Sequence, residues 1–85
     1  ILGSASSPDY YGEEASIYVG QQLFEDSLKS IERAIAIAPD FGACYRLRGV
    51  CCVRLKKKTE ACEAFNKAKE LGDPLAGKLI KEHCK

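Results

Sequence analysis

Residues 41–71, FGACYRLRGVCCVRLKKKTEACEAFNKAKEL, read as two short helices folded back on each other. The spacing predicts a first helix over Phe41–Leu55 and a second over about Thr59–Leu71. In the second, Ala61, Cys62, Phe65, Ala68 and Leu71 recur at intervals of three or four, so they share one helical face. Glu60, Glu63, Asn66, Lys67, Lys69 and Glu70 occupy the other face. Glu63 and Lys67 stand four apart with the acid first, the favourable order for a surface pair. Thr59 is the expected N-cap. Gly72 suits the left-handed residue that ends a helix, and Asp73-Pro74 suits the start of the next. Lys56, Lys57 and Lys58 lie between the two helices, where cations complement the dipole of the first.

Outward from this hairpin the pattern continues on both sides. Glu25–Ala38 carries an apolar stripe of Leu28, Ile31, Ala34, Ile35 and Ala38, and Pro39 stops it. Before it, Asp9–Gln22 places Tyr11, Ala15, Tyr18 and Val19 on one face, with Gly20 weakening the end. After it, Pro74–Cys84 has Leu75, Leu79 and Ile80 on one side and Lys78, Lys81, Glu82 and Lys85 on the other. Residues 1–8 are rich in Gly, Ser and Ala without periodicity and read as a disordered arm. No stretch alternates with period two, so the expectation is all-α. Five helices joined by short turns make antiparallel neighbours.

Shifted by 34 residues, the chain falls on itself. Tyr11 meets Tyr45, Ala15 meets Gly49, Val19 meets Val53 and Ser27 meets Ala61. Ile31 meets Phe65, Arg33 meets Lys67, Ala34 meets Ala68 and Ile37 meets Leu71. Small residues coincide where helices approach closely, and apolar ones where they fill the gap between them. A period near 34 is that of the tetratricopeptide repeat, and the chain resembles this family from about Asp9 onward. The family pattern falls on Tyr11, Glu14, Ala15, Tyr18, Ser27, Ile31, Ala34 and Pro39 in the first copy. In the second it falls on Tyr45, Arg48, Gly49, Cys52, Ala61, Phe65, Ala68 and Asp73, with Pro74 one residue late. Glu14 and Arg48 depart from the usual Leu, Ser27 from Ala, and Cys52 from an aromatic. The related Sel1-type repeat is an alternative fold.

The resemblance implies an α-α superhelix: antiparallel helix-turn-helix repeats over about 8–40 and 41–73, then a capping helix over 74–85. Stacked hairpins bury their apolar faces against each other, and the last needs a cap with a polar outer side. Two repeats and a cap fall short of the roughly three repeats needed for independent stability, which points to a longer parent chain or self-association. A chain that starts at Ile1 and holds no Met likewise reads as a processed product or a piece of something longer.

The composition supports a folded helical domain: 46% hydrophobic, 29% charged, three prolines, no Trp and net charge +1. No apolar run approaches the roughly 20 residues of a membrane span. Charge is uneven along the chain. Through Asp40 two bases against seven acids give −5, and from Phe41 eleven bases against five acids give +6. The basic half points to an acidic partner or a self-complementary neighbour, set against the plainer reading of solvated helix faces.

Five cysteines, Cys44, Cys51, Cys52, Cys62 and Cys84, stand out. Their odd count and scattered spacing do not make a disulfide framework. The plain reading is small apolar residues in tight helix packing. One pair invites more: Cys62 lies ten residues before Gly72 and Cys84 twelve after it. Antiparallel helices about that turn bring both thiols to similar height, as a disulfide or a close pair. Cys51 and Cys52 face apart. A zinc site from Cys62, His83 and Cys84 is disfavoured because adjacent helical residues point to different sides. No phosphate loop, His-Glu-x-x-His or nucleophile–base pair occurs, so neither an enzyme nor a cofactor is expected. Nucleic acid binding through Arg54 and Lys56–Lys58 is a weaker contender, with only Tyr45 nearby to stack on a base.

The resemblance implies protein or peptide recognition instead. In the family, the first helix of each repeat lines the concave face. Carried over, the lining positions are Asp9, Gly12, Glu13, Ser16, Val19 and Gly20 in the first copy. In the second they are Ala43, Arg46, Leu47, Val50, Val53 and Arg54. Arg46, Val50, Val53 and Arg54 form the candidate partner site, with arginines to hold a carboxylate beside an apolar strip. The Asn residues of the carboxylate-clamping members are missing. The rival reading is a Cys-based redox or metal-binding module.

Overall fold

Five helices follow one another in the computed structural model, which describes residues 8–84, with side chains from Tyr11 to Cys84. They are α1 (Pro8–Gly20), α2 (Phe24–Ile37), α3 (Gly42–Arg54), α4 (Lys58–Glu70) and α5 (Ala76–His83). No strand occurs among the described residues. The expected arm over 1–8 falls outside them except for Pro8, which opens α1 instead of belonging to the arm. Proline suits a first helical position because its missing N–H would have no partner there. The helices pack chiefly in chain order: α1 with α2 and α3 with α4 as hairpins, α2 with α3 between them, and α4 with α5.

The 34-residue period is written into the turns as well as the side chains. Gln22 and Lys56, 34 apart, both take φ 62°, and Gly72 takes φ 89°. Each ends a helix with the same pair of hydrogen bonds. Leu23 N–H donates to Tyr18 O (2.8 Å), and Lys57 N–H to Cys52 O (2.8 Å). Asp73 N–H donates to Ala68 O (3.0 Å). Inside these, Gln22, Lys56 and Gly72 N–H groups reach Val19, Val53 and Lys69 carbonyls at 3.0–3.1 Å. This is the Schellman ending, which satisfies carbonyls the helix leaves open.

That ending also corrects the expected cap at Thr59. With Lys56 left-handed, Lys57 becomes the N-cap, and its carbonyl accepts the first helical bond from Ala61 N–H at 2.9 Å. Thr59 therefore lies inside α4. No side-chain cap occurs at α2, α3, α4 or α5.

The core has two parts with α3 between them. Ala15, Ile31, Ala34, Cys44 and Cys51 form the first, flanked by Tyr11, Val19, Phe24, Leu28, Ile35, Phe41 and Leu47. Cys52, Ala61 and Phe65 form the second, flanked by Val50, Val53, Leu79, Ile80 and Cys84. Cys51 and Cys52 thus face opposite neighbours. Ala34 and Ala68 are fully buried at equivalent places in the two hairpins. The pair Ala15 and Ile31 recurs as Gly49 and Phe65. A Cβ on Gly49 would overlap the Phe65 ring, with Cζ 2.9 Å away. The larger ring therefore requires the smaller partner. Leu75, expected on the apolar side of the last helix, is half exposed. It sits at the α5 N-cap, ahead of the turn that presents Leu79 and Ile80 to the core, and Ala76 is the residue buried there instead.

The departures from the family pattern have local compensation. Ser27 Oγ–H donates to Ala15 O at 2.9 Å, tying α2 to α1, and itself accepts the Cys51 thiol at 3.4 Å. Ser30 Oγ–H donates to Glu14 Oε1 at 2.6 Å. Two buried serines therefore satisfy their hydroxyls across helix contacts, as burial demands.

Candidate partner-binding groove

α1 and α3 lie side by side and run the same way, leaving a furrow between them. One end is a cavity of about 270 Å³ lined by Gly12, Glu13 and Ser16 from α1 and by Ala43, Arg46 and Leu47 on α3. The other end, about 490 Å³, is lined by Val19 and Gly20 of α1 and by Val50 and Arg54 of α3. Val50 and Arg54 also border a second furrow of about 620 Å³, where Val53 and Lys56 face Leu79 and His83 of α5. α3 is thus the floor shared by two furrows. Its residues at intervals of three and four point into them because that spacing keeps side chains on one helical face.

The four residues singled out by sequence do not stand alike. Arg54 is exposed, while Val50 and Val53 are half-buried. Arg46 is engaged within the fold: its Nε–H reaches Asp73 Oδ1 at 3.1 Å and Oδ2 at 3.0 Å. The Asp73 side chain is only 5% exposed, against 26% for Arg46. Asp73 Oδ2 also accepts Leu75 N–H at 3.2 Å. This carboxylate therefore braces α3 against the turn into α5. Asp73, expected to start the last helix, instead meets a partner 27 residues away that helical spacing does not reveal. The charge of the furrows is graded as a result. Glu13 lies at one end beside an arginine already paired, and Arg54 and Lys56 gather at the other.

The cysteines divide into two sets. Cys62 and Cys84 are joined as a disulfide, with Cα atoms 5.7 Å apart, a separation suited to a bridge. Cys44, Cys51 and Cys52 are buried thiols. Burial pushes the Cys51 thiol above its usual range, against a smaller opposing effect of the Ser27 hydrogen bond. Burial also raises Cys52, and the nearby Glu60 charge adds to it. Both thiols therefore stay protonated in the folded state at pH values where the unfolded chain ionises. Below the unfolded thiol pKa of about 8.5 this contributes no penalty, and above it stability falls as pH rises. A thiol-specific reagent at pH 8 is expected to leave Cys51 and Cys52 unmodified in the folded protein and to label both in denaturant. Labelling in the folded state at the rate of a small-molecule thiol would contradict this burial.

Among the described residues, no group of three or more His, Cys, Asp and Glu side chains is placed to hold a metal ion. His83 stacks on Phe65 with ring centroids 5.9 Å apart, so its ring closes the second half of the core. No helix among the described residues is long and apolar enough to cross a membrane.

A family model for the tetratricopeptide repeat matches residues 8–41 and 43–71, the two hairpins α1–α2 and α3–α4. The chain belongs to the tetratricopeptide repeat family. No curated protein and no solved structure gives a match. Tetratricopeptide repeats generally serve protein–protein interaction and are typically scaffolding without catalysis. The matched segments stop at Leu71, so α5 lies beyond the two matched repeats and packs on the second.

Proposed function

We propose that this tetratricopeptide repeat domain holds an extended peptide segment of a partner protein in the furrows on either side of α3. The observation that carries this reading is the continuity of the lining. Val50 and Arg54 border both furrows, joining an apolar strip to a cationic end. An extended chain offers alternate side chains to such a strip. Arg54 and Lys56 suit an acidic group on the partner, and an exposed arginine can take a carboxylate through two parallel bonds.

Arg46 is a poor choice for testing this reading alone. Removing it strands the nearly buried Asp73 carboxylate, which costs stability whatever the partner does. Arg54 and Val50 are cleaner positions. Peptides selected from a random library on the wild-type domain are expected to bind the Arg54→Glu variant about tenfold more weakly or worse, a change of about 1.4 kcal/mol. Val50→Asp is expected to act in the same direction. The Arg54→Glu variant should keep the wild-type melting temperature, since Arg54 is exposed. Affinity unchanged in both variants would remove the furrows from the binding account.

A further inference from the structure

We infer that the Cys62–Cys84 disulfide is a redox clasp that keeps α5 seated on the second half of the core, and that a dithiol opening it frees α5 and bares Cys52. The clasp is a separate property of the chain and stands whether or not the furrows take a peptide.

α5 depends on attachment more than any other helix here. It has eight residues, two turns, far fewer than an isolated helix needs in water. Its contacts are chiefly with α4. Ala76 is its one fully buried residue, while Leu79 and Ile80 are partly covered and Leu75 is half exposed. Its opening hydrogen bonds are long: Ala76 N–H to Asp73 O at 3.4 Å and Leu79 N–H to Leu75 O at 3.3 Å. Two pins hold it. Asp73, braced by Arg46, fixes the chain before its start, and the bond from Cys84 to Cys62 fixes its end. Beneath it lie Cys52 and Phe65, with Leu79, Ile80 and Cys84 packed over them. Opening the far pin leaves a two-turn helix held by the Asp73 brace before its start and by the packing of Ala76, Leu79, Ile80 and His83, with no covalent tie at its end.

Cys62 and Cys84 are only half-buried, so neither residue of the bridge is sealed inside the core. Lys56 and Lys58, with Glu82 as the one acid, line an adjoining cavity of about 390 Å³ between α4 and α5. The two lysines outweigh the single carboxylate and favour the approach of a thiolate anion. The reaction is thiol–disulfide exchange with a low-molecular-weight or protein dithiol. One thiolate attacks Cys62 or Cys84 sulfur, forming a mixed disulfide and expelling the other protein sulfur as thiolate, which takes up a proton. The second thiol of the reagent then displaces the protein from the mixed disulfide. Two electrons and two protons pass to the protein, and the reagent leaves as its own disulfide. Release of α5 removes Leu79 and His83 from one wall of the second furrow and uncovers Val50 and Val53. The oxidation state thereby sets how much of α3 is open.

Cys52 reports the event from inside the molecule. Cys44 and Cys51 belong to the other half of the core, so they serve as internal controls. The full chain is treated with a dithiol, then pulse-alkylated, and each cysteine is quantified by mass spectrometry beside an oxidised sample. Opening the clasp is expected to raise Cys52 labelling by about tenfold or more, with Cys44 and Cys51 unchanged, because local opening exposes only what α5 covers. Cys52 staying protected after Cys62 and Cys84 are both labelled would overturn the clasp, since α5 would then be held by packing alone. Release of all three buried thiols together would also overturn it, showing a staple of the whole domain. Cys84→Ser should give the reduced pattern with no reagent. If that variant fails to fold, hydrogen exchange on the reduced wild-type chain decides. Loss of protection confined to α5 supports the clasp, and protection unchanged in α5 refutes it.

Discussion

Phe65→Ala is expected to lower the stability of the domain by about 3–5 kcal/mol, the range for truncating a buried aromatic side chain. Phe65 is the largest fully buried side chain among those described. Its ring packs against Gly49 of α3 on one side and His83 beyond α4 on the other. Removing it leaves a void between three helices whose backbones are fixed by their own hydrogen bonds, so the site collapses only partly. A chain of this length typically holds about 4–13 kcal/mol in all, which makes the loss a large fraction of the total. Urea denaturation followed by helical circular dichroism measures it. The urea midpoint should fall steeply, and Phe65→Leu should recover part of the difference. A midpoint within experimental error of wild type would mean that Phe65 is not the centre of the second half of the core.

Gly49→Ala is expected to destabilise the domain by about 2 kcal/mol or more, although alanine is the better helix former by about 1 kcal/mol. The direction is set by the neighbour. The new methyl would overlap the Phe65 ring, which is fully buried and has no solvent to retreat into. Gly77→Ala in α5 supplies the contrast. Nothing lies within 4 Å of the Cβ it would add, so helix propensity acts unopposed. That substitution is expected to stabilise by about 0.5–1 kcal/mol. The same chemical change thus has opposite signs at two helical glycines. Thermal melts of the two variants beside wild type check this. If Gly49→Ala melts above wild type, the close approach of α3 to Phe65 is wrong. Combining Gly49→Ala with Phe65→Leu should cost less than the two single losses added together, because the smaller side chain yields the space the methyl needs.

These two positions also show what the sequence could reveal. The coincidence of Ala15 with Gly49 and of Ile31 with Phe65 under a 34-residue shift was visible in the letters, and it carries the hairpin fold. α4 was easy to read because it is buried on one side, so its apolar residues form one stripe. α3 was harder: with core on two sides, Cys51 facing one part and Cys52 the other, no single stripe exists. The left-handed Gln22 and Lys56 were illegible, because the sequence marks such positions mainly through glycine and only Gly72 gave that signal. Thr59 misled for the same reason, since the cap position is set by the turn before it. For the candidate site, helical spacing puts Arg46, Val50 and Arg54 on one face of α3, and the family resemblance, not the spacing, sets them beside α1. Spacing could not separate Arg46 from Arg54, because Arg46 meets Asp73 only through the folding of α4 and the turn that follows.

The central claim is that the two 34-residue hairpins share one interior through α3. Amide hydrogen exchange of the native chain at increasing denaturant tests it most directly, by the opening free energy at Ile31 in α2, Cys51 in α3 and Phe65 in α4. A shared interior predicts that these three amides converge on a single value equal to that of global unfolding. An Ile31 amide that opens with its own free energy while Phe65 stays protected would mean two hairpins folding independently, and would contradict the account.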